Sequence, residues 1–212
     1  MLKKVLQDIQ TSQVVSIRFI KGFSLVELLV VIGITSALMS VVLWDYASFN
    51  EKLSVSSAGQ EIAIAIRQTQ VYGINVREES VNSNEFSSAY GIYFNKTLSP
   101  NDYYIFVDKN GDKKYNDAIG VCGGVECVEK IALPSGVTVD SFEGCAPLEL
   151  AESLQITFIR PKPDADINFV RDNGVIPPPC RSVLSGQVVL KSPRGTVYHT
   201  ISIEKTGQVL SE

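Results

Sequence analysis

From Phe23 to Leu43 the chain runs FSLVELLVVIGITSALMSVVL, 21 residues with one ionisable side chain, Glu27. As a helix the stretch is about 31 Å long, which matches a bilayer core of ~30 Å. Thirteen of these residues are Phe, Leu, Val or Ile. Together they contribute about −4 to −8 kcal/mol to insertion, against about 3 kcal/mol or less for one carboxylate near the end of the span. Insertion is therefore favoured despite Glu27. Trp44 and Tyr46 follow where aromatic side chains favour the interface. No proline occurs between Phe23 and Gly73. Leu53, Ala58, Ile62, Ala65, Ile66 and Thr69 recur three to five positions apart and approximate one face. Asp45, Asn50, Glu51, Lys52, Gln60, Glu61, Arg67 and Gln68 mostly fall elsewhere. The pattern predicts one helix from about Phe23 to Tyr72 with Gly73 as its C-cap, and makes Gly33 and Gly59 points of bending or close approach.

After Gly73 the period changes. Residues 78–88 are polar and predict a loop. Eight short strand-like runs follow: Ala89–Phe94, Tyr103–Val107, Val128–Leu133, Val137–Phe142, Leu154–Arg160, Asp166–Phe169, Gly186–Leu190 and Val197–Glu204. Turn signals separate them at Ser99-Pro100-Asn101, Asn110-Gly111, Pro134-Ser135-Gly136, Pro177-Pro178-Pro179 and Ser192-Pro193-Arg194-Gly195. The predicted class is α+β: a long N-terminal helix, transmembrane in its first half, leaning on an antiparallel β-domain. Residues 1–22 form a leader, 23–73 the helix with its membrane part at 23–43, and 74–212 the β-rich domain.

Charge sets the orientation. Residues 1–22 carry Lys3, Lys4, Arg18 and Lys21 against one acid, Asp8. The positive-inside rule puts the N-terminus in the cytoplasm and the β-domain outside. A cleaved secretory signal would have a shorter apolar core with small residues beyond it; here Ser36 and Ala37 lie inside the run. A plain single-pass anchor fits the composition equally well. The net charge of −4 gives no reason to expect general electrostatic binding to nucleic acid.

The boundary itself reads Lys21-Gly22-Phe23-Ser24-Leu25-Val26-Glu27-Leu28-Leu29. A basic leader, a glycine, an aromatic, a hydroxylated residue, two aliphatics and a glutamate before an unbroken apolar helix closely resemble the signature of the type IV prepilin and pseudopilin superfamily. The resemblance implies a pilin-like fold. It also implies cleavage between Gly22 and Phe23 by a membrane prepilin peptidase, N-methylation of Phe23, and assembly with other pilin subunits on an inner-membrane platform. The precursor would sit in membrane lipid, and the filament would stand at the cell surface as a pilus or pseudopilus. For Glu27 the resemblance implies a pairing with the new α-amino group of a neighbouring subunit; the alternative is a carboxylate that snorkels to the headgroups. Gly22, lacking a side chain, lets a protease approach the backbone.

Residues 60–73 and the ending GQVVLKSPRGTVYHTISIEKTGQV further resemble the GspH/FimT type of minor pilins and pseudopilins. In some members of that group basic residues in this region contact DNA, which makes Lys191 and Arg194 candidates against the reading of a solvated turn. Major pilin, tip adhesin or DNA-capture subunit, and membrane-anchored binding domain are the competing functions.

Four cysteines, Cys122, Cys127, Cys145 and Cys180, lie beyond the apolar segment. An even number outside the cytoplasm fits disulfides; free buried thiols and a metal site are the alternatives, the latter without any CxxC spacing and with a single histidine, His199. Cys122–Cys127 with Cys145–Cys180 is the preferred pairing, because the first two flank Gly123-Gly124. Asp108, Asn110 and Asp112 place oxygens at alternate positions as in a calcium loop, yet Gly111 is at position four and Ile119 at position twelve. A tight Asx turn is the other reading. No His-based triad, phosphate loop or paired-carboxylate signature points to an enzyme, and no resident cofactor is expected beyond the calcium candidate.

Overall fold

The computed structural model describes residues 22–75, 88–134, 136–144, 151–171 and 183–212. One helix, α1, spans Leu25–Ile74. Nine strands follow: β1 (Ala89–Asn95), β2 (Ser99–Asp108), β3 (Cys127–Ala132), β4 (Thr138–Glu143), β5 (Ser153–Phe158), β6 (Ala165–Val170), β7 (Ser185–Lys191), β8 (Tyr198–Glu204) and β9 (Val209–Ser211). The chain divides into two compact units at Asp45/Tyr46.

In the first unit the described residues of α1 from Leu25 to Leu43 are all exposed. This is the only helix among the described residues that is long and apolar enough to cross a membrane, and its most apolar 18-residue window has a mean hydropathy of 2.4 and no buried residue. Thr35, Ser36 and Ser40 return their hydroxyls to carbonyls three or four residues back, at 2.7–3.0 Å. These three hydroxyls are thus satisfied within the helix, as a lipid environment demands.

The second unit begins at Tyr46. There α1 packs on two antiparallel sheets, ordered β3-β2-β1-β5-β6 and β4-β7-β8-β9. The helix contributes Val55, Ala58, Ile62, Ala65 and Ile66 to the main core. Ile92, Phe94, Leu154, Ile156, Phe158, Ile167 and Phe169 come from the first sheet, and Val139, Phe142, Val188, Leu190, Ile201 and Ile203 from the second. Register explains the shared face: Ile92 pairs with Ile156, and Ile156 with Ile167.

The structure corrects several sequence-based expectations. Leu53 is exposed and Val55 takes its place on the buried face; two residues along a helix turn the side chain by about 200°. Glu51 belongs to that buried face, at 9% exposure. Gly73 is no C-cap but lies within the helix. A Cβ there would meet the Phe158 carbonyl oxygen at 2.5 Å and its Cβ at 2.8 Å, so the residue is small to let β5 approach. Gly73→Ala should therefore lower the melting temperature of the detergent-solubilised protein, although it gains about 1 kcal/mol of helix propensity, because overpacking costs about 1–3 kcal/mol. A raised melting temperature would show that β5 gives way. Gly59 serves the second sheet in the same manner: a Cβ there would lie 2.1 Å from the His199 ring. Ser99-Pro100-Asn101 is not a turn but the start of β2; the turn lies at residues 96–98. Proline is tolerated there because a strand's opening residues need not donate to the ladder. The short β9 was not expected; it pairs with β8, and Arg67 on the helix donates to the Val209 carbonyl at 3.2 Å. Ser135 and the three-proline run lie outside the described residues.

β1 is buried on both faces. One faces the main core. On the other, Tyr93, Tyr104 and Phe106 pack around Tyr115 from the loop at residues 109–126, with ring centroids 4.9, 5.4 and 5.6 Å from that of Tyr115. Side-chain oxygens pin this loop by its backbone. The Asp117 carboxylate accepts N–H bonds from Val125, Glu126 and Cys127 at 2.6–2.9 Å. Gln155 accepts from Tyr115 N at 3.0 Å, and Tyr104 Oη from Gly120 N at 2.8 Å. Burial pushes the Asp117 carboxyl up, but the three donors, with Lys109 nearby, outweigh it and hold the group below the usual carboxylate value. Folding then favours the ionised form, so this stabilisation is present above the ordinary carboxylate pKa and is lost as pH falls through the folded-state value. Buried Glu126 runs the other way: desolvation, helped by Asp108 and Asp112, pushes it up against the N–H donors of Asn116 and Lys109. Asp117→Ala should cost about 1.5–3 kcal/mol, the range for hydrogen bonds to a charged group. At neutral pH it should speed amide exchange at Glu126 and Cys127 while leaving the Ile62–Ile66 turn of the helix protected; uniform loosening would mean the loop has no separate stability.

Candidate functional site

The helix start is built by its own sequence. Ser24 is the N-cap: its Oγ accepts the Glu27 N–H at 3.2 Å and its carbonyl accepts the Leu28 N–H at 3.1 Å. Ser24-Leu25-Val26-Glu27 has the spacing of a capping box, and an acid in the first turn suits the positive end of the helix dipole. That signal is legible in the sequence, where the hydroxyl at position 24 served only as part of a motif.

Gly22 and Phe23 lie just before the cap, outside the helix, and both are exposed; Phe23 shows 82% of its surface. A Cβ on Gly22 would meet nothing within 4 Å. Nothing in the described fold requires a glycine at position 22. Glu27 is exposed, and among the described residues its carboxylate has no hydrogen bond or ion pair. The 22–28 segment thus combines an accessible backbone bond, a helix that starts immediately beyond it, and an unpartnered acid on an apolar rod.

The remaining candidates do not converge on this segment. Cys122 and Cys127 form a disulfide with a Cα–Cα distance of 5.3 Å, closing the turn at Gly123-Gly124. Cys145 and Cys180 lie outside the described residues. Asp108 accepts the N–H groups of Gly111 and Lys113 at 2.8 and 2.9 Å. Asn110 accepts from Asp112 N, and Asp112 from Lys114 N, at 2.9 and 2.8 Å. These are Asx-turn bonds that hold Lys113 at φ +59°. Among the described residues no group of three or more His, Cys, Asp or Glu is placed to hold a metal ion. Lys191 and Arg194 each face a carboxylate: Lys191 Nζ is 3.3 Å from Asp140, and Arg194 Nε is 3.0 Å from Glu51. Thr196 Oγ1 adds a bond to the other Glu51 oxygen at 3.1 Å. The β7–β8 turn is thereby tied to the helix, a role for Glu51 that no local sequence pattern marks.

Comparison with known proteins agrees with the weight of the first segment. Residues 17–43 match the family described as the prokaryotic N-terminal methylation motif. No curated protein and no solved structure matches the chain. The match supports a type IV prepilin-like protein, a family of structural subunits processed by prepilin peptidase and assembled with other pilins.

Proposed function

We propose that this chain is a minor pilin or pseudopilin, cut between Gly22 and Phe23, methylated on Phe23 and assembled through α1 into a filament. The observation that carries this reading is a methylation motif at the head of an apolar helix whose side chains from Leu25 to Leu43 find no cover among the described residues. Before assembly lipid covers that surface; in the filament the helices of other subunits replace the lipid. The precursor faces the cytoplasm with its N-terminus and presents the β-domain on the other side, where a disulfide persists. An inner-membrane platform and the peptidase are its partners during assembly.

Glu27 supplies the assembly contact. Cleavage creates an α-amino group on Phe23, and a charge of either sign within an apolar bundle requires a partner. A neighbour displaced along the filament axis offers its amine to Glu27, which fixes the stagger between subunits. Minor status and the GspH/FimT type rest on the resemblance of residues 60–73 and of the β7–β9 region to that group. Mass spectrometry of the mature N-terminus tests the reading: an N-methylated Phe23 is expected, and a chain that retains Met1 overturns it in favour of a plain membrane anchor.

A further inference from the structure

A cavity of about 350 Å³ opens on the outer face of the first sheet, beside the loop that carries Tyr115. Its lining includes Tyr93, Asn95, Lys114, Tyr115, Gln155 and Arg171, and among the described residues no acid lines it. The volume falls at the small end of ligand pockets, about 300–1,000 Å³.

Two features set it apart from the other cavities. The first concerns hydrogen bonding. Among the described residues three buried side-chain polar atoms have no partner, and two of them, Tyr115 Oη and Arg171 Nε, belong to residues that line this cavity. Tyr115 is 8% exposed. Folded proteins pair nearly all such atoms, so two around one cavity call for an explanation. Both can donate: an Arg Nε has no acceptor capacity, and burial, with Asp117 close by, pushes the Tyr115 hydroxyl up so that it keeps its proton. What is missing is an acceptor.

The second feature is charge. Lys114 and Arg171 both line the cavity, and no ion pair engages either among the described residues. The nearby acids are committed elsewhere, Asp117 to three backbone N–H groups and Glu126 to Asn116 N at 2.9 Å. Arg171 Nε is buried without an acceptor, and the Nε edge of a guanidinium carries two parallel N–H groups that match a planar carboxylate. The lining includes Asn95, Asn116, Gln155, Ser153 and two tyrosines, the mixture of polar and aromatic residues that suits a hydroxylated ring over a purely apolar body.

We propose that this cavity binds a small polar carboxylate of the sugar-acid class, with Arg171 gripping the carboxylate and Tyr115 donating to a ligand oxygen. The site lies wholly within the second unit and does not depend on the filament reading.

Calorimetric titration of the full-length protein in detergent tests it with three probes: D-glucuronate, D-glucose and inorganic phosphate. Glucuronate should bind, and bind at least about tenfold more tightly than either glucose, which lacks the charge, or phosphate, which lacks the ring; tenfold corresponds to one good polar contact. Arg171→Gln should abolish glucuronate binding, whereas Lys162→Gln, outside the cavity lining, should leave it unchanged. Tyr115→Phe separates a ligand role from a structural one. Removing a buried hydroxyl that bonds to nothing should keep or raise the melting temperature, yet it should weaken glucuronate about five- to tenfold. Absence of glucuronate binding, binding indifferent to both Arg171→Gln and Tyr115→Phe, or phosphate binding as tight as glucuronate would each overturn the assignment.

Discussion

Gly22→Val leaves the protein inserted and folded but uncut. The described structure has room for the larger side chain, since nothing stands within 4 Å of the position a Cβ would take. Residue 22 precedes the cap at Ser24, so neither the helix nor the β-domain depends on it. The peptidase, by contrast, must lay the scissile bond against its own catalytic groups. A displacement of about 1 Å there costs on the order of a hundredfold in rate, and a branched Cβ adjacent to the bond imposes at least that. The mature species, shorter by 22 residues, should therefore fall by about two orders of magnitude on an immunoblot, with the precursor accumulating in the membrane fraction. Gly22→Ala, the smallest change, should retain part of the cutting. Normal maturation of the valine variant would remove the basis for placing the cut here.

Glu27→Val has the opposite profile: insertion and cutting proceed, and filaments fail to incorporate the subunit. Valine makes the span more apolar, so the membrane accepts it readily. What disappears is the partner of a neighbour's α-amino group. Breaking a buried ion pair by removing one member costs about 3–5 kcal/mol, because the remaining charge is stranded. At about 1.4 kcal/mol per factor of ten, incorporation should drop by roughly two to three orders of magnitude, measured as the ratio of sheared-filament to membrane-bound subunit. Glu27→Gln, which keeps the shape but not the charge, should show most of the loss. Wild-type incorporation of both variants would mean that Glu27 only snorkels.

Elements governed by local rules were legible in the sequence, and contacts between distant segments were not. The apolar run names the helix, and the Gly22–Glu27 string falls in the stretch that matches the methylation-motif family, without any tertiary information. All eight expected strands exist, because alternation and turn residues act over a few positions. The buried face of α1 was misphased at Leu53 because a hydrophobic residue there satisfies a spacing of five as well as the true run through Val55, Ala58, Ile62, Ile66 and Thr69 does. Gly73 looked like a terminator, and only the approach of Phe158, far along the chain, shows why it is small. Pro100 looked like a turn, yet its place at the head of β2 needs no N–H. Glu51 and Arg194 meet across 143 positions of sequence, and Tyr115 and Arg171 come to one cavity from a loop and from the residue after β6. Such pairings have no period and no spacing to betray them.

The Ser24 cap has a consequence for what maturation does to the subunit. The helix begins at Leu25, two residues past the Gly22–Phe23 bond, and among the described residues its first carbonyl acceptor is that of Ser24. On the proposed reading, a cut before Phe23 leaves in place every hydrogen bond described for the start of α1. Such a cut would be conformationally silent for the described helix. What changes is a charge, because a positive amine appears at the helix end whose dipole already favours anions. Under the proposed function, processing would then work as an electrostatic licence, converting a rod content to remain alone in lipid into one whose new end group is best satisfied by a carboxylate carried on another copy.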